Sequence, residues 1–277
     1  MDVAVVGQDF RASASPVLEP ALLHVLERIV DPHSNKTIRA LFNEKGSKIE
    51  GLNAGSDHAA FQMLGGCSSL DFGFSGPPYP YHSCYDNQEW MENFGDPGGL
   101  PYHQLTAKIL ALLILELADR EVLPFDFEAY ADAIHVEIES LEKFTNPQKY
   151  LDYSKLHSAA KELSAIAHEF HQWSQAWSNT VYGSGGGFES AAMAAKRISH
   201  NTRMANFETN LLDVEGGLLG REQYKHVLMA PQRWDGYATS YFPSIRDAVE
   251  DGDWVLAQLQ IEKVAGRLSY ASKKLIH

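Results

Sequence analysis

Leu123-Pro124-Phe125-Asp126-Phe127-Glu128-Ala129-Tyr130-Ala131-Asp132-Ala133-Ile134 marks the point where the pattern of the chain changes. Pro124 interrupts whatever precedes it, and Asp126 offers a carboxylate to cap the helix that follows. From there helical periodicity runs almost to the C-terminus, predicting helices at about 126–143, 150–178, 188–213 and 253–274. Tyr153, Leu156, Ala160, Leu163, Ile166, Ala167 and Phe170 recur along one face, as do Val255, Leu256, Leu259, Ile261, Val264 and Leu268. Four long helices predict a bundle over residues 123–277. The glycine run at 183–187 reads as a flexible helix connection. No strand precedes it and no Lys-Ser/Thr follows it, which argues against a phosphate loop.

Residues 1–122 follow a different pattern. Val3-Ala4-Val5-Val6-Gly7 predicts an opening strand, and Ser15-Pro16 starts a helix over residues 17–30 that Asp31-Pro32 ends. A short apolar helix to Leu64 and a buried strand over residues 68–74 complete a strand-helix-strand order, which predicts an α/β sheet. Residues 76–86 carry too many prolines for regular structure and form a loop, after which a long apolar helix spans residues 102–120.

A net charge of -13 without any Lys/Arg cluster excludes a nucleic-acid or anionic-membrane surface. The longest apolar run, residues 109–117, is too short to span a bilayer. No signal-peptide pattern follows Met1, so the chain is expected to start inside a fold. Two cysteines, Cys67 and Cys84, rule out a disulfide framework; neither has a Cys-X-X-Cys partner, and both read as buried small hydrophobes.

His82 stands out among residues able to carry chemistry, because a proline-stiffened loop places it between Tyr81 and Tyr85. A hydrogen-bonded loop histidine is the alternative reading, and local spacing leaves both open. Asp2 by itself reads as a solvated terminus. His168 and His171 lie one residue too close for the His-Glu-X-X-His zinc helix and read as a solvated or interface face. Asp57-His58 and His82 with Ser56 as nucleophile would suggest a hydrolase triad, but the chain has no nucleophile elbow and no oxyanion element.

Three segments, Gly55-Ser56-Asp57-His58-Ala59-Ala60-Phe61-Gln62, Tyr79-Pro80-Tyr81-His82-Ser83-Cys84-Tyr85-Asp86 and Leu123-Pro124-Phe125-Asp126, together resemble the glutamate carboxypeptidase and transferrin receptor family of co-catalytic zinc peptidases. Ala230-Pro231, Gly236-Tyr237-Ala238 and Phe242-Pro243 extend the likeness into the helical part. The resemblance implies the C-terminal part of a zinc-peptidase α/β/α domain over residues 1–122, followed by an all-α dimerisation domain over residues 123–277. It implies His82 as a ligand of one zinc and Asp2 as a ligand of the other. Tyr81 and Tyr237 would flank the pocket for the substrate's C-terminal residue, and Gly55 and Ser56 would border the bound peptide. The partners implied are a second copy, joined through the C-terminal helices, and a peptide substrate. Family members are usually anchored in a membrane through an N-terminal segment absent from this chain.

Two departures carry weight. Members selective for a C-terminal glutamate have a lysine before the tyrosine matched by Tyr237, where this chain has Gly236, and their arginine patch is unmatched in residues 70–74. An uncharged C-terminal residue is therefore expected. The family's remaining zinc ligands and its general-base glutamate lie upstream of the matched segments, so no residue of this chain is assigned a catalytic role and the chain alone is expected to be silent. A non-catalytic dimeric receptor of the transferrin receptor type is the competing reading.

Overall fold

The computed structural model describes residues 3–76, 79–145, 151–183 and 187–276. They divide into two compact units, Met1–Leu52 with Leu70–Arg120, and Asn53–Ser69 with Glu121–His277.

In the first unit, β1 (Asp9–Ala14) pairs antiparallel with β2 (Leu70–Ser75), Phe10 facing Phe74 and Ala12 facing Phe72. Between them in sequence come α1 (Glu19–Glu27), α2 (Ile38–Glu44) and α3 (His58–Met63), the last belonging to the second unit. The short turn α4 (Gln88–Trp90), continued as a π-turn over Met91–Gly95, and the long α5 (Pro101–Ala118) follow β2. The apolar faces of α1 and α5 meet the strands in one core, with Leu22, Leu26, Phe72, Phe74, Tyr102 and Ile109 almost fully buried. α5 also leaves Leu110, Ile114 and Leu115 exposed.

The opening strand expected at residues 3–7 is not one of the strands. Val5 makes a single parallel bridge to Phe74, supported by Val6 N–H donating to Phe74 O (2.8 Å) and Phe74 N–H to Ala4 O (2.9 Å). The regular partner of β2 is Asp9–Ala14, whose Ala12 and Ala14 alternate inward while polar residues alternate outward. Gly73 allows the close approach of residues 4–6, since a methyl group there would sit 2.6 Å from Ala4 O.

The second unit is helical, built from α6 (Phe127–Thr145), α7 (Ser154–Tyr182), α8 (Ala191–Ala205), α9 (Pro243–Glu250) and α10 (Trp254–Ile276). α7 packs most extensively against α10 and α6. Asp126 caps α6 by accepting from Ala129 N–H at 3.0 Å. Phe127, Tyr130, Phe170 and Phe207 form an edge-to-face aromatic cluster with centroid separations of 5.0–5.8 Å. The helix expected over residues 188–213 stops at Ala205; a 3-10 turn (Thr209–Leu211) and an irregular stretch follow. A hairpin, β3 (Met229–Pro231) with β4 (Thr239–Tyr241), and α9 occupy ground the periodicity left unassigned.

Residues 53–69 join this unit through particular contacts. Lys225 and His226 N–H groups both donate to Met63 O (2.8 and 3.1 Å), and Thr209 Oγ1 donates to Gly66 O (3.1 Å). Gly66 adopts φ +62°, and a methyl group there would lie 2.5 Å from Thr209 Cα, so the approach requires glycine.

Trp177, Met204 and Phe207 are buried within the unit itself, whereas Phe188 is exposed. Among the described residues no helix is long and apolar enough to cross a membrane.

Candidate functional site

The loop of the first unit is closed by its own short-range bonds. Ser83 Oγ donates to Pro80 O (2.7 Å), and Tyr81 N–H donates to Tyr79 O (2.7 Å). Tyr79 hydroxyl donates to Asp86 at the loop's other end. That hydrogen bond pushes the Tyr79 phenol up to about 12, since ionising it would place two negative charges together. Tyr79 also packs edge-on against Trp90, 5.3 Å between centroids.

His82 sits at the tip of this loop in the left-handed region, φ +56°. Its ring stacks on Tyr81 with centroids 3.7 Å apart and planes inclined by 23°. Both side chains are exposed, and no described residue hydrogen-bonds to the imidazole. The ring is thus held by stacking rather than by a hydrogen bond to a described residue.

Asp2 lies outside the described residues. Among those described, no group of three or more His, Cys, Asp or Glu could hold a metal ion. A zinc centre takes about four ligands, so the described residues do not supply one.

In the second unit, two residues named from sequence come together. A methyl group at Gly55 would lie 3.1 Å from Tyr237 Cδ1, so the ring of Tyr237 rests on the Gly55 backbone. Asn53 organises this segment: its Oδ1 accepts from Gly55 N–H (2.9 Å) and its carbonyl bonds to His58 Nε2 (2.7 Å). Ser56 O accepts from Ala59 N–H (3.1 Å) at the start of α3. Tyr237 lies on the β3–β4 turn, its N–H donating to Asp235 Oδ1 (3.0 Å), and is 75% exposed. An exposed phenol ring against bare backbone forms an apolar shelf. Tyr81 belongs to the first unit and Gly55, Ser56 and Tyr237 to the second.

His168 and His171 lie on an exposed face of α7, where both turn toward Glu128: His168 Nδ1 is 2.9 Å from Oε1 and His171 Nδ1 is 3.7 Å from Oε2. Cys67 and Cys84 are both exposed free thiols, contrary to the buried positions expected from their isolation in sequence. Sequence reading passes over Arg246 and Glu137, which line a pocket of the second unit together with the hairpin. They come from separate elements, so no local motif signals them.

Comparison with known proteins gives a consistent answer. Residues 151–276 match the transferrin receptor-like dimerisation domain. A probable glutamate carboxypeptidase of Arabidopsis thaliana is 32% identical over 98% of this chain and 39% of that protein. One from Arthroderma benhamiae is 29% identical over 98% of this chain and 37% of its own length. A Schizosaccharomyces pombe protein named as an inactive zinc metalloprotease is 25% identical over 99% of the chain and 34% of its own length. The chain thus spans under two-fifths of these relatives. With near-complete coverage by the carboxypeptidase relatives and a matched dimerisation domain, the chain belongs to the glutamate carboxypeptidase and transferrin receptor-like family.

Proposed function

We propose that this chain is the dimerising part of a zinc-dependent carboxypeptidase that cleaves the peptide bond next to a C-terminal residue. In this reading residues 1–122 are the C-terminal part of the peptidase domain and residues 123–277 the dimerisation domain. His82 binds one of two zinc ions and Asp2 the other. Tyr81 fixes the plane of the His82 ring by stacking on it. Tyr237 and the Gly55-Ser56 backbone border the substrate's terminal residue, with Tyr81 as the other flanking aromatic. Gly236 brings no cation to that residue, so uncharged termini are preferred over glutamate.

The observation that carries the proposal is His82: an exposed imidazole, stacked on one aromatic ring and without a described hydrogen-bond partner, on a loop tied together at both ends. The non-catalytic reading has one observation in its favour, the name of the inactive fission-yeast relative.

Metal analysis separates the two. When the sequence is expressed with the remaining zinc-binding part of the family's catalytic domain, His82→Ala is expected to lose zinc and most activity. His168→Ala and His171→Ala should change neither. Equal zinc loss in all three variants, or no zinc in the parent protein, would refute the assignment. The 277-residue chain alone is expected to show no peptidase turnover with added zinc.

A further inference from the structure

The second unit contains a pocket of about 420 Å³ between α6, the β3–β4 hairpin and α9, within the size range of small-molecule sites. Arg246 is fixed in its wall: Nε donates to Tyr241 O (2.9 Å), Nη2 donates to Ser140 Oγ (3.2 Å), and the guanidinium lies 4.9 Å from the centre of the Phe144 ring. Neighbouring arginines have carboxylate partners, Arg221 with Asp247 and Arg233 with Asp251, each at 2.6 Å. Arg246 differs. Among the described residues no carboxylate lies within 4.0 Å of it, although it is half-buried.

Glu137 mirrors this situation. It lines the same pocket, is half-buried, and takes part in no ion pair or hydrogen bond among the described residues. Burial raises the Glu137 carboxyl and lowers the Arg246 guanidinium from their ordinary ranges, and each partly offsets the other. The two charges sense each other without touching. Partly buried charges without an opposite charge in contact are costly, and a ligand that supplies one to each lowers that cost.

We propose that this pocket binds a small zwitterion, an α-amino acid or dipeptide, with its carboxylate on Arg246, its ammonium group on Glu137 and its side chain against Phe144 and Trp234. A simple anion fits less well, because Glu137, Asp247 and Glu250 share the lining, and a simple cation would face Arg246. Trp234, 82% exposed at the pocket, supplies an apolar surface that folding does not use. This binding is independent of zinc and of the peptidase reading.

Calorimetry on the 277-residue chain with L-phenylalanine and with alanyl-phenylalanine tests it, the tighter of the two identifying the source. Saturable binding of either is expected, with 3-phenylpropionate and phenethylamine each weaker by about tenfold or more. Glu137→Gln should weaken the zwitterion while sparing 3-phenylpropionate, and Arg246→Gln should weaken both. Trp234→Ala, a surface change that leaves folding intact, should weaken every aromatic probe. No saturable binding of either zwitterion at about 10 mM, or affinity unchanged in Glu137→Gln and Trp234→Ala, would overturn the proposal.

Discussion

At the scale of single residues, the candidate chemistry rests on side chains whose environment only tertiary structure creates. The loop around His82 was visible in its prolines and tyrosines, but the stacking on Tyr81 was not, because it depends on the path of a backbone that turns left-handed at His82. Gly55 and Tyr237 were matched by resemblance, and their contact depends on a hairpin that periodicity does not signal. Tyr237→Ala should change stability by less than about 0.5 kcal/mol, as expected for an exposed side chain. Under the proposed function, it should raise KM for substrates ending in a large apolar residue by about tenfold, with kcat less affected. A large drop in melting temperature would instead mark Tyr237 as structural.

His226 makes a prediction about pH. It is fully buried and its Nδ1 accepts from Leu228 N–H (3.3 Å), which keeps the ring neutral; burial holds it at about 3 against an ordinary 6.5. Glu208 Oε2 lies 3.7 Å from Nε2, too far for a hydrogen bond, and burial is the cause of the lowered value. Below pH 6.5 the unfolded chain therefore takes up a proton that the folded chain refuses until about pH 3. Stability is fully present above that window and falls as pH drops through it, by up to about 1.4 kcal/mol per pH unit. His200, lowered to about 4 mainly by burial, acts in the same direction. Asp31 and Asp213, whose carboxyls are lowered, add their losses only at more acid pH. Glu19, raised to about 7 by burial, opposes this loss over the same range, so the His226 contribution is read by difference: in thermal melts between about pH 7 and 5, His226→Gln should lose less stability than the parent as pH falls; an identical pH dependence in the variant would contradict this account.

Among elements, the long helices were the most legible, because α5, α6, α7 and α10 each repeat an apolar face over many turns. The strands were less so. β1 is rich in alanine and serine and is held in place by pairing with β2, while the β-branched run before it makes one bridge. Helix starts show the same limit. α5 begins at Pro101 after Leu100 in the left-handed region, and no local side chain caps it. The cap comes from Asp96, buried, which accepts from Tyr102 and His103 N–H groups (3.0 Å each) and bonds to His103 Nδ1 at 2.7 Å. Asp96→Ala should lower unfolding free energy by about 2 kcal/mol, because several buried donors lose one charged acceptor. Asp126→Ala, which removes a single contact from α6, should cost about 1 kcal/mol. Denaturant titration of both variants checks the order; equal midpoints would show that Asp96 does not organise the start of α5.

For the whole molecule, the change of pattern at Leu123 falls close to the end of the first unit at Arg120, yet residues 53–69 belong to the second unit. Nothing local announces that crossing, because it depends on Gly66 meeting Thr209 and on Met63 O accepting two N–H groups from residues far along the chain. The second unit buries much of its own aromatic surface while leaving Val255 and Leu259 on α10, Ile198 on α8 and Phe188 exposed. An isologous dimer through these helices would bury apolar surface of this kind, and burial of that sort is insensitive to salt. Sedimentation of the 277-residue chain at micromolar concentration, in about 0.05 M and 1 M salt, is the most direct measurement. The account predicts a species of twice the 30.8 kDa chain mass under both conditions; a well-folded monomer in either would contradict it.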